Sequence, residues 1–277
     1  MQIDTPGTLS PAQFARFSKL AYDNAGILLK PGKESLVLAR VTRRLRALEM
    51  DSVEAYIAHL EGDHTGKELV HFLDVISTNV TSFFREKEHF DYLKTYVGEA
   101  AAAGIKRLRF WSAACSSGEE PYTLAMVLDE ALGSAFDWRI LATDVSTDVL
   151  GRAARGVYAN STVQAVPSTL RSRYMIRDDG SDPQDPLWIM RPELREKVLF
   201  RRVNLAQPPF PMRGPFDVVL CRNVMIYFDN IVRLGIVNEV ERLLRPGGVF
   251  MTSHTESLTG LKINLRMSKP SIYVKDR

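Results

Sequence analysis

Cysteine is scarce. Cys115 and Cys221 are the only two in 277 residues, and neither belongs to a CxxC pair. A disulfide framework and a cysteine zinc site are therefore disfavoured, and the pattern fits a reduced, cytoplasmic protein. No uninterrupted apolar run approaches the about 18 residues that cross a bilayer, so no membrane insertion is expected. Residues 1–10 lack a basic start followed by an apolar stretch, which argues against a secretory leader. Charge of one sign is missing too. The 36 Lys and Arg nearly balance the 33 Asp and Glu, and a net charge of +3 is too weak to argue for nucleic acid by itself. The five histidines, His59, His64, His71, His89 and His254, show no metal-ligand spacing, so no metal is expected and they are taken as surface or packing residues. Internal repeats, low-complexity tracts and any response-regulator extension are absent, so regulation through an appended domain is not expected.

What is present is ordinary globular composition, 45% hydrophobic and 25% charged, over a length that suits one large or two small domains. Residues 10–76 are predicted all-helical. Ser10-Pro11-Ala12-Gln13 offers an N-cap, a proline at the first helical position and a capping-box glutamine. Further helices are expected over 33–49, from 51 or 52 to 61, and over 67–76, with short polar breaks, as in a small bundle. From residue 86 the pattern alternates: helix 86–103, strand 108–111, helix 120–131, strand 138–143, helix 146–154, and later strand 216–221, helix 229–244 and strand 249–253. Arg245-Pro246-Gly247-Gly248 is expected to stop the last helix and turn the chain. Alternation of this kind predicts an α/β fold with a parallel, Rossmann-like sheet. Residues 156–200 break the rhythm with four prolines and short apolar pieces, and are expected to form a small inserted β-subdomain. The expected domains are thus 1–76, a linker at 77–85, and 86–277.

The loop Ser112-Ala113-Ala114-Cys115-Ser116-Ser117-Gly118-Glu119-Glu120-Pro121 joins a predicted strand to a predicted helix, where Rossmann-like sheets hold their ligands. Its small residues permit close backbone approach. It is not GxGxxG, and Glu119 and Glu120 would repel a pyrophosphate at that helix start. A ligand with a cationic centre and no phosphate, such as S-adenosylmethionine (SAM), tolerates them. A plain tight turn with solvated acids remains the alternative. Asp144 ends the second strand, placed either to accept ribose hydroxyls or to cap the next helix, a role for which Ser146 competes.

Phe83-Phe84-Arg85, the loop 112–121 and the string Cys221-Arg222-Asn223-Val224-Met225-Ile226-Tyr227-Phe228-Asp229 closely resemble the CheR family, glutamate O-methyltransferases of chemotaxis receptors. The resemblance runs over nearly the whole chain. It implies a SAM-dependent methyltransferase sheet preceded by a small all-α domain. It further implies cofactor contacts at Asn79, Thr81, Arg85, Ala113, Glu119 (toward the amino group), Asp144 (ribose), Asn204 and Leu205 (near adenine), and Cys221, Arg222 and Asn223. Arg85, Arg222 and Tyr227 would surround the reacting centre. The partners implied are the cytoplasmic methylation helices of chemoreceptors, with a monomeric enzyme and no nucleic acid.

The implied chemistry needs no general base, because a glutamate of pKa about 4.3 is already ionised at neutral pH. Arg85 and Arg222 would position the carboxylate by charge-assisted hydrogen bonds. Cys221 as a base-attacking nucleophile is disfavoured: no proline precedes it and no acidic partner is evident, so a buried strand-end residue is expected. The sequence also lacks the Asn/Asp-Pro-Pro-aromatic motif of adenine-N6 enzymes. Lys30, Lys33, Arg40, Arg43, Arg44 and Arg46 form a basic run, in which Arg40, Arg43 and Arg44, at i, i+3 and i+4, are expected to share a helix side away from the apolar face. That run is either a solvated face or, by the resemblance, the surface that recognises acidic receptor helices. In some family members the β-subdomain docks a receptor pentapeptide by strand addition. The loop here, from Arg177-Asp178-Asp179-Gly180 to Pro186, is longer and acidic, so independence of that tether is expected. Two further readings stay open: methylation of another protein or of RNA, and a non-catalytic SAM-sensing module.

Overall fold

The structure, a computed structural model, describes residues 8–77, 80–133, 136–180 and 182–276. Four helices come first: α1 (Pro11–Ala25), α2 (Glu34–Ala47), α3 (Val53–Glu61) and α4 (Lys67–Ile76). The start of α1 carries the full capping box, with Gln13 N–H donating to Ser10 Oγ (3.2 Å) and Ser10 N–H to Gln13 Oε1 (3.1 Å). Asp63 caps α4 by accepting the N–H groups of Gly66 and Glu68. The apolar faces of the four helices meet in a core where Phe17 lies 5.5 Å from Phe72 and 6.3 Å from Tyr56 between ring centres.

The second domain runs through α5 (Lys87–Ala102), β1 (Arg107–Ala113), α6 (Glu119–Leu132), β2 (Asp137–Asp144) and α7 (Thr147–Arg155). A smaller unit follows, with β3 (Val157–Ala159), a short 3-10 turn, α8 (Ser168–Tyr174), β4 (Met175–Asp178), β5 (Leu187–Met190) and α9 (Pro192–Arg195). The chain closes with β6 (Val198–Arg202), β7 (Phe216–Cys221), α10 (Asn230–Leu243), β8 (Leu244–Met251), β9 (Leu265–Lys269) and β10 (Ile272–Lys275). Seven strands form one sheet in the order β6-β2-β1-β7-β8-β10-β9, and β3-β5-β4 form a separate antiparallel sheet. The Rossmann-like sheet expected from the alternation is present. Its central pairs are parallel, and β10 and β9 extend it antiparallel. One face buries α5 and α6 residues such as Phe90 and Tyr122, and the other buries the α10 residues Ile236, Val237 and Val240.

Three local expectations change. The Arg245–Gly248 segment does not turn away after α10 but lies within β8; Gly247 takes φ +74°, and a register shift beside Asp217 absorbs the irregularity. Strand β6 pairs with β2, so the large sheet resumes at Val198. Beyond Ser253 the β9–β10 hairpin adds two strands that the sequence reading did not contain.

The basic run on α2 does not face one way. Arg44 turns inward, and its guanidinium donates to both oxygens of Glu68 (2.8 and 2.6 Å), a residue only 6% exposed that also accepts from Tyr56 Oη (2.8 Å). Arg40 donates to the carbonyls of Ile76 and Ser77. Only Arg43 and Arg46 are exposed. The expectation that Arg40, Arg43 and Arg44 share one outward side fails because Glu68 on α4 needs a partner out of water. Arg44→Ala is therefore expected to lower unfolding stability by about 3 kcal/mol in urea titrations, as removal of one partner from a buried pair does. Arg43→Ala is expected to leave the midpoint unchanged.

Candidate active site

The carboxyl ends of β1, β2 and β7 lie level, with Ala113 in register with both Thr143 and Cys221. Past β1 the chain proceeds to β2 and β6 on one side, then returns to β7 and β8 on the other, so the strand order reverses between β1 and β7. Open α/β sheets bind ligands at such a switch point. Here Ala114, Asp144 and Arg222, each just past or at its strand end, line a cavity of about 560 Å³. The helical domain supplies the opposite wall through residues such as Leu29, Val37 and Arg40. The two domains are stitched around it: Asn204 Nδ2 donates to Asn24 O (2.5 Å), Leu28 N–H to Tyr227 O (2.9 Å) and Tyr22 Oη to Asp229 Oδ2 (2.6 Å). Gly26, at φ +67°, permits this approach, since a Cβ there would fall 2.6 Å from the Ala206 Cβ.

Backbone strain gathers at the same place. Phe84, Glu86, Ala114, Ser116 and Asn223 all hold positive φ, and all belong to the segments that wall the cavity. Each such residue costs of order 1–3 kcal/mol and persists only where its surroundings over-determine it. Asp144 does part of that holding. Ser116 N–H donates to its Oδ2 (2.9 Å) and Ser146 N–H to its Oδ1 (3.0 Å). Burial raises its pKa above the ordinary aspartate value, with the Ser146 and Ser116 N–H groups pulling the other way. Each oxygen keeps a further lone pair for a hydroxyl donor. The N-cap of α7 is Ser146, whose Oγ accepts from Val149 N–H (3.3 Å), so the capping alternative for Asp144 is removed.

Arg222 is the most enclosed charge in the site, its side chain 1% exposed. Its Nη1 donates to Glu120 Oε2 (3.1 Å), its Nη2 to the carbonyl of Arg85, and Glu86 Oε2 lies 3.2 Å from Nη2. The ring of Phe90 lies under the guanidinium. Glu86 also accepts from Asn223 Nδ2 (3.3 Å), so one carboxylate ties the linker at 80–86 to the loop after β7. That loop is fixed from behind by buried Glu256, which accepts Asn223 N–H (2.8 Å) and Ser253 N–H (2.9 Å). Arg85 makes a single hydrogen bond among the described residues, from Nη1 to Val80 O (3.0 Å), and its side chain enters the cavity wall.

Of the residues singled out from the sequence, Arg40, Thr81, Arg85, Asp144, Asn204, Leu205, Arg222, Asn223 and Tyr227 all line this one cavity. Asn79 lies outside the described residues. Ala113 and Cys221 lie behind the lining, fully buried in their strands, and the partly buried Ala114 lines the cavity after β1. Burial also pushes the Cys221 thiol well above its usual pKa, which removes the nucleophile reading. Glu119, expected to reach the ligand, accepts from Ser117 Oγ (2.8 Å) and is not among the lining residues; its neighbour Glu120 lines the cavity and accepts from Ser112 Oγ (2.7 Å). Adjacent helical residues differ by about 100° in direction, so the doublet alone does not show which one faces inward. Glu86 and Glu256, which hold the segments around the cavity without lining it, were not singled out from the sequence.

His89 and His254 meet behind Arg222, with ring centres 5.0 Å apart, and Glu86, His89 and His254 place ligand-type atoms within 4.8 Å of one another. Sequence spacing gave no hint of this cluster. Ser271 Oγ bridges the two rings at 2.9 and 3.1 Å. Glu86 Oε2 lies 3.2 Å from Arg222 Nη2 and 3.4 Å from His89 Nδ1, but neither this oxygen nor His89 Nδ1 has a hydrogen-bond partner among the described residues. Burial, then the charge of Arg222, lowers the His89 pKa to about 4.

An acid at the end of the second strand, a small-residue loop after the first and a nucleoside-sized cavity at the switch point define the protein as a SAM-dependent methyltransferase of the Rossmann-like class. The cavity fits such a ligand: its volume falls in the range of cofactor pockets, Asp144 offers acceptor positions, and Glu120 is among the lining residues. Family comparison makes this specific. Residues 79–274 match the CheR methyltransferase SAM binding domain, and residues 12–77 match the CheR methyltransferase all-alpha domain. The chain belongs to the CheR methyltransferase family. It is 38% identical to the chemotaxis protein methyltransferase of Salmonella typhimurium, covering 96% of this chain and 90% of that protein. It is 36% identical to that of Escherichia coli, covering 96% and 91%. The chemotaxis protein methyltransferase 2 of Pseudomonas aeruginosa is 37% identical, covering 94% and 91%.

Two outcomes follow from this geometry. Asp144→Ala is expected to weaken SAM binding in calorimetric titration by roughly tenfold or more, the loss of hydrogen bonds to a charged acceptor. His89 binds its proton near pH 4 when folded and near 6.5 when unfolded. The unfolded chain therefore takes up more protons between these values, and stability is expected to fall as pH drops from about 6.5 toward 4. Denaturant titrations of His89→Gln should show a shallower fall over that window, whereas an unchanged slope would assign the acid sensitivity to other groups.

Proposed function

We propose that the protein methylates glutamate side chains in the cytoplasmic methylation helices of chemoreceptors, giving glutamate 5-O-methyl esters and S-adenosylhomocysteine. When bound, SAM supplies an electrophilic methyl on its sulfonium. The chain's own residues supply binding and alignment. Asp144 holds hydroxyls, Asn204 and Leu205 flank the base, and Glu120 faces the amino acid end, the part first assigned to Glu119.

The observation that carries the reading is the contrast between the two site arginines. Arg222 is paired with Glu86, Glu120 and a carbonyl, whereas Arg85 makes one hydrogen bond among the described residues and lines a cavity whose carboxylates are all engaged. Arg40 and Arg222 are held by carbonyls and carboxylates, so an incoming anion that passes Lys30 and Lys33 meets Arg85, with Tyr227 lining the same cavity. The carboxylate is thereby aligned without a tight clamp that would dull its nucleophilicity, and no histidine lines the cavity among the described residues to act as base. Arg222 acts as the keeper of the linker that carries Arg85. The names of the relatives support chemoreceptors as substrates, and a cytoplasmic monomer suits that task. The described helices include none long and apolar enough to cross a membrane.

Arg43 and Arg46, exposed on α2, suit acidic receptor helices. The acidic loop after β4 is tied to itself, with Arg177 Nε on Asp179 Oδ1 (2.6 Å) and Nη2 on Pro183 O (3.0 Å), which supports action without a peptide tether. Labelled SAM with receptor membranes tests the whole reading. Wild type is expected to give label that mild alkali releases, at similar rates with receptors carrying or lacking their tails. Arg43→Glu with Arg46→Glu is expected to cut the rate sharply at sub-saturating receptor while leaving SAM affinity intact. Alkali-stable label, or label on nucleic acid, would sink the carboxylate assignment.

A further inference from the structure

Four exposed apolar side chains line the mouth of the cavity: Leu28 between α1 and α2, Leu36 on α2, Val80 on the linker and Ile226 after β7, exposed by 42, 44, 77 and 45%. They come from four separate segments of chain, so no single amphipathic pattern explains them. Exposed apolar residues scattered singly are normal, but a group on the rim of one opening marks a binding surface. Lys30 and Lys33 stand on the same rim, both exposed and without an ion pair among the described residues.

We infer that this apolar collar, with Lys30 and Lys33 beside it, selects which glutamate is methylated by reading the residues one helical turn before and after it. The inference rests on the carboxylate reading above. A glutamate that reaches Arg85 must pass its side chain through the mouth, so the residues flanking it in space settle on the rim. On a helix those are the residues three and four positions away, which share its face. Apolar side chains there cover Leu28, Leu36, Val80 and Ile226, exclude water, and strengthen the attraction between the carboxylate and Arg85. Polar side chains there lose their hydration against the collar without gaining partners. Acidic residues further round the helix meet Lys30 and Lys33. The partner is thus an amphipathic, acidic helix in which the target glutamate sits at the border of the apolar stripe.

The test uses two designed coiled-coil hairpins of equal charge, each presenting one surface glutamate. Alanine and leucine occupy the positions three and four residues away in one, and glutamine occupies them in the other. Wild-type enzyme is expected to favour the apolar-flanked hairpin by roughly tenfold in kcat/KM, expressed in KM, as burial of one or two side chains implies. Leu36→Ser, at an exposed position on α2, should weaken that preference severalfold while thermal stability, SAM affinity and kcat at saturation stay at the wild-type level. Equal kcat/KM for the two hairpins with wild type, or an undiminished preference in the Leu36→Ser variant, would overturn the inference. So would base-labile label on receptor membranes with none on either hairpin. Absence of base-labile label from receptors as well would overturn the carboxylate reading and this inference together.

Discussion

The guanidinium of Arg222 is held out of water between Glu86 and Glu120, with its Nη2 also donating to the carbonyl of Arg85 and the Phe90 ring beneath. Each partner comes from a different piece of the chain: Glu86 from the linker between the domains, Glu120 from the first turn of α6, Arg222 from the end of β7. A lone charge so enclosed would be expensive, and removal of one member of such a set leaves the others unsatisfied at a cost of several kcal/mol. The linker, the loop after β1 and the loop after β7 are therefore fixed with respect to one another. The positive-φ residues Phe84, Glu86 and Asn223 are held in those same segments, which is how strained backbone persists there.

The helical domain completes the site from the other side. Its contacts with the sheet domain are polar and close, at Asn24, Leu28 and Tyr22, and Gly26 lets the α1 terminus meet Ala206. The cavity exists only because both domains face it. This couples recognition to cofactor binding in space: α2, which presents Arg43 and Arg46 outward, also presents Val37 and Arg40 to the cavity. Arg44 has no part in that surface, because its charge is consumed by Glu68.

Much of the architecture was legible because its signals are local. Ser10 to Gln13 specified a helix start that forms as written. The apolar periods of α2, α6 and α10, and the short strands between helices, specified a parallel sheet. The hairpin of β9 and β10 was missed although Ile272-Tyr273-Val274 is a β-branched and aromatic run, because the expected turn at Pro246 to Gly248 drew the end of the sheet forward to Ser253. Proline and glycine there sit inside β8, where an irregular register with β7 tolerates them. At the site, strand-end residues such as Asp144 and Arg222 were legible because a strand end fixes where the following residue emerges. Glu120 was not separable from Glu119, because one residue of helix rotation decides which carboxylate reaches the cavity.

By itself the sequence determined the class of fold, the ligand edge of the sheet and the absence of a dinucleotide loop, since helix caps, hydrophobic periods and loop composition act within a few residues. Family resemblance then carried it to the CheR methyltransferases. Tertiary structure alone decided which charges are spent and which are available: Arg44 on Glu68, Arg222 on Glu86 and Glu120, Arg85 left to face the cavity. It also decided that Gly118 serves packing against Tyr158 and Ala153, where a Cβ would lie 2.9 and 3.0 Å from them. It brought His89 and His254 together from 165 positions apart (254 − 89). The reason is the same in each case. Desolvation makes a buried polar group take whatever partner the fold brings near, and sequence distance carries no information about that neighbour.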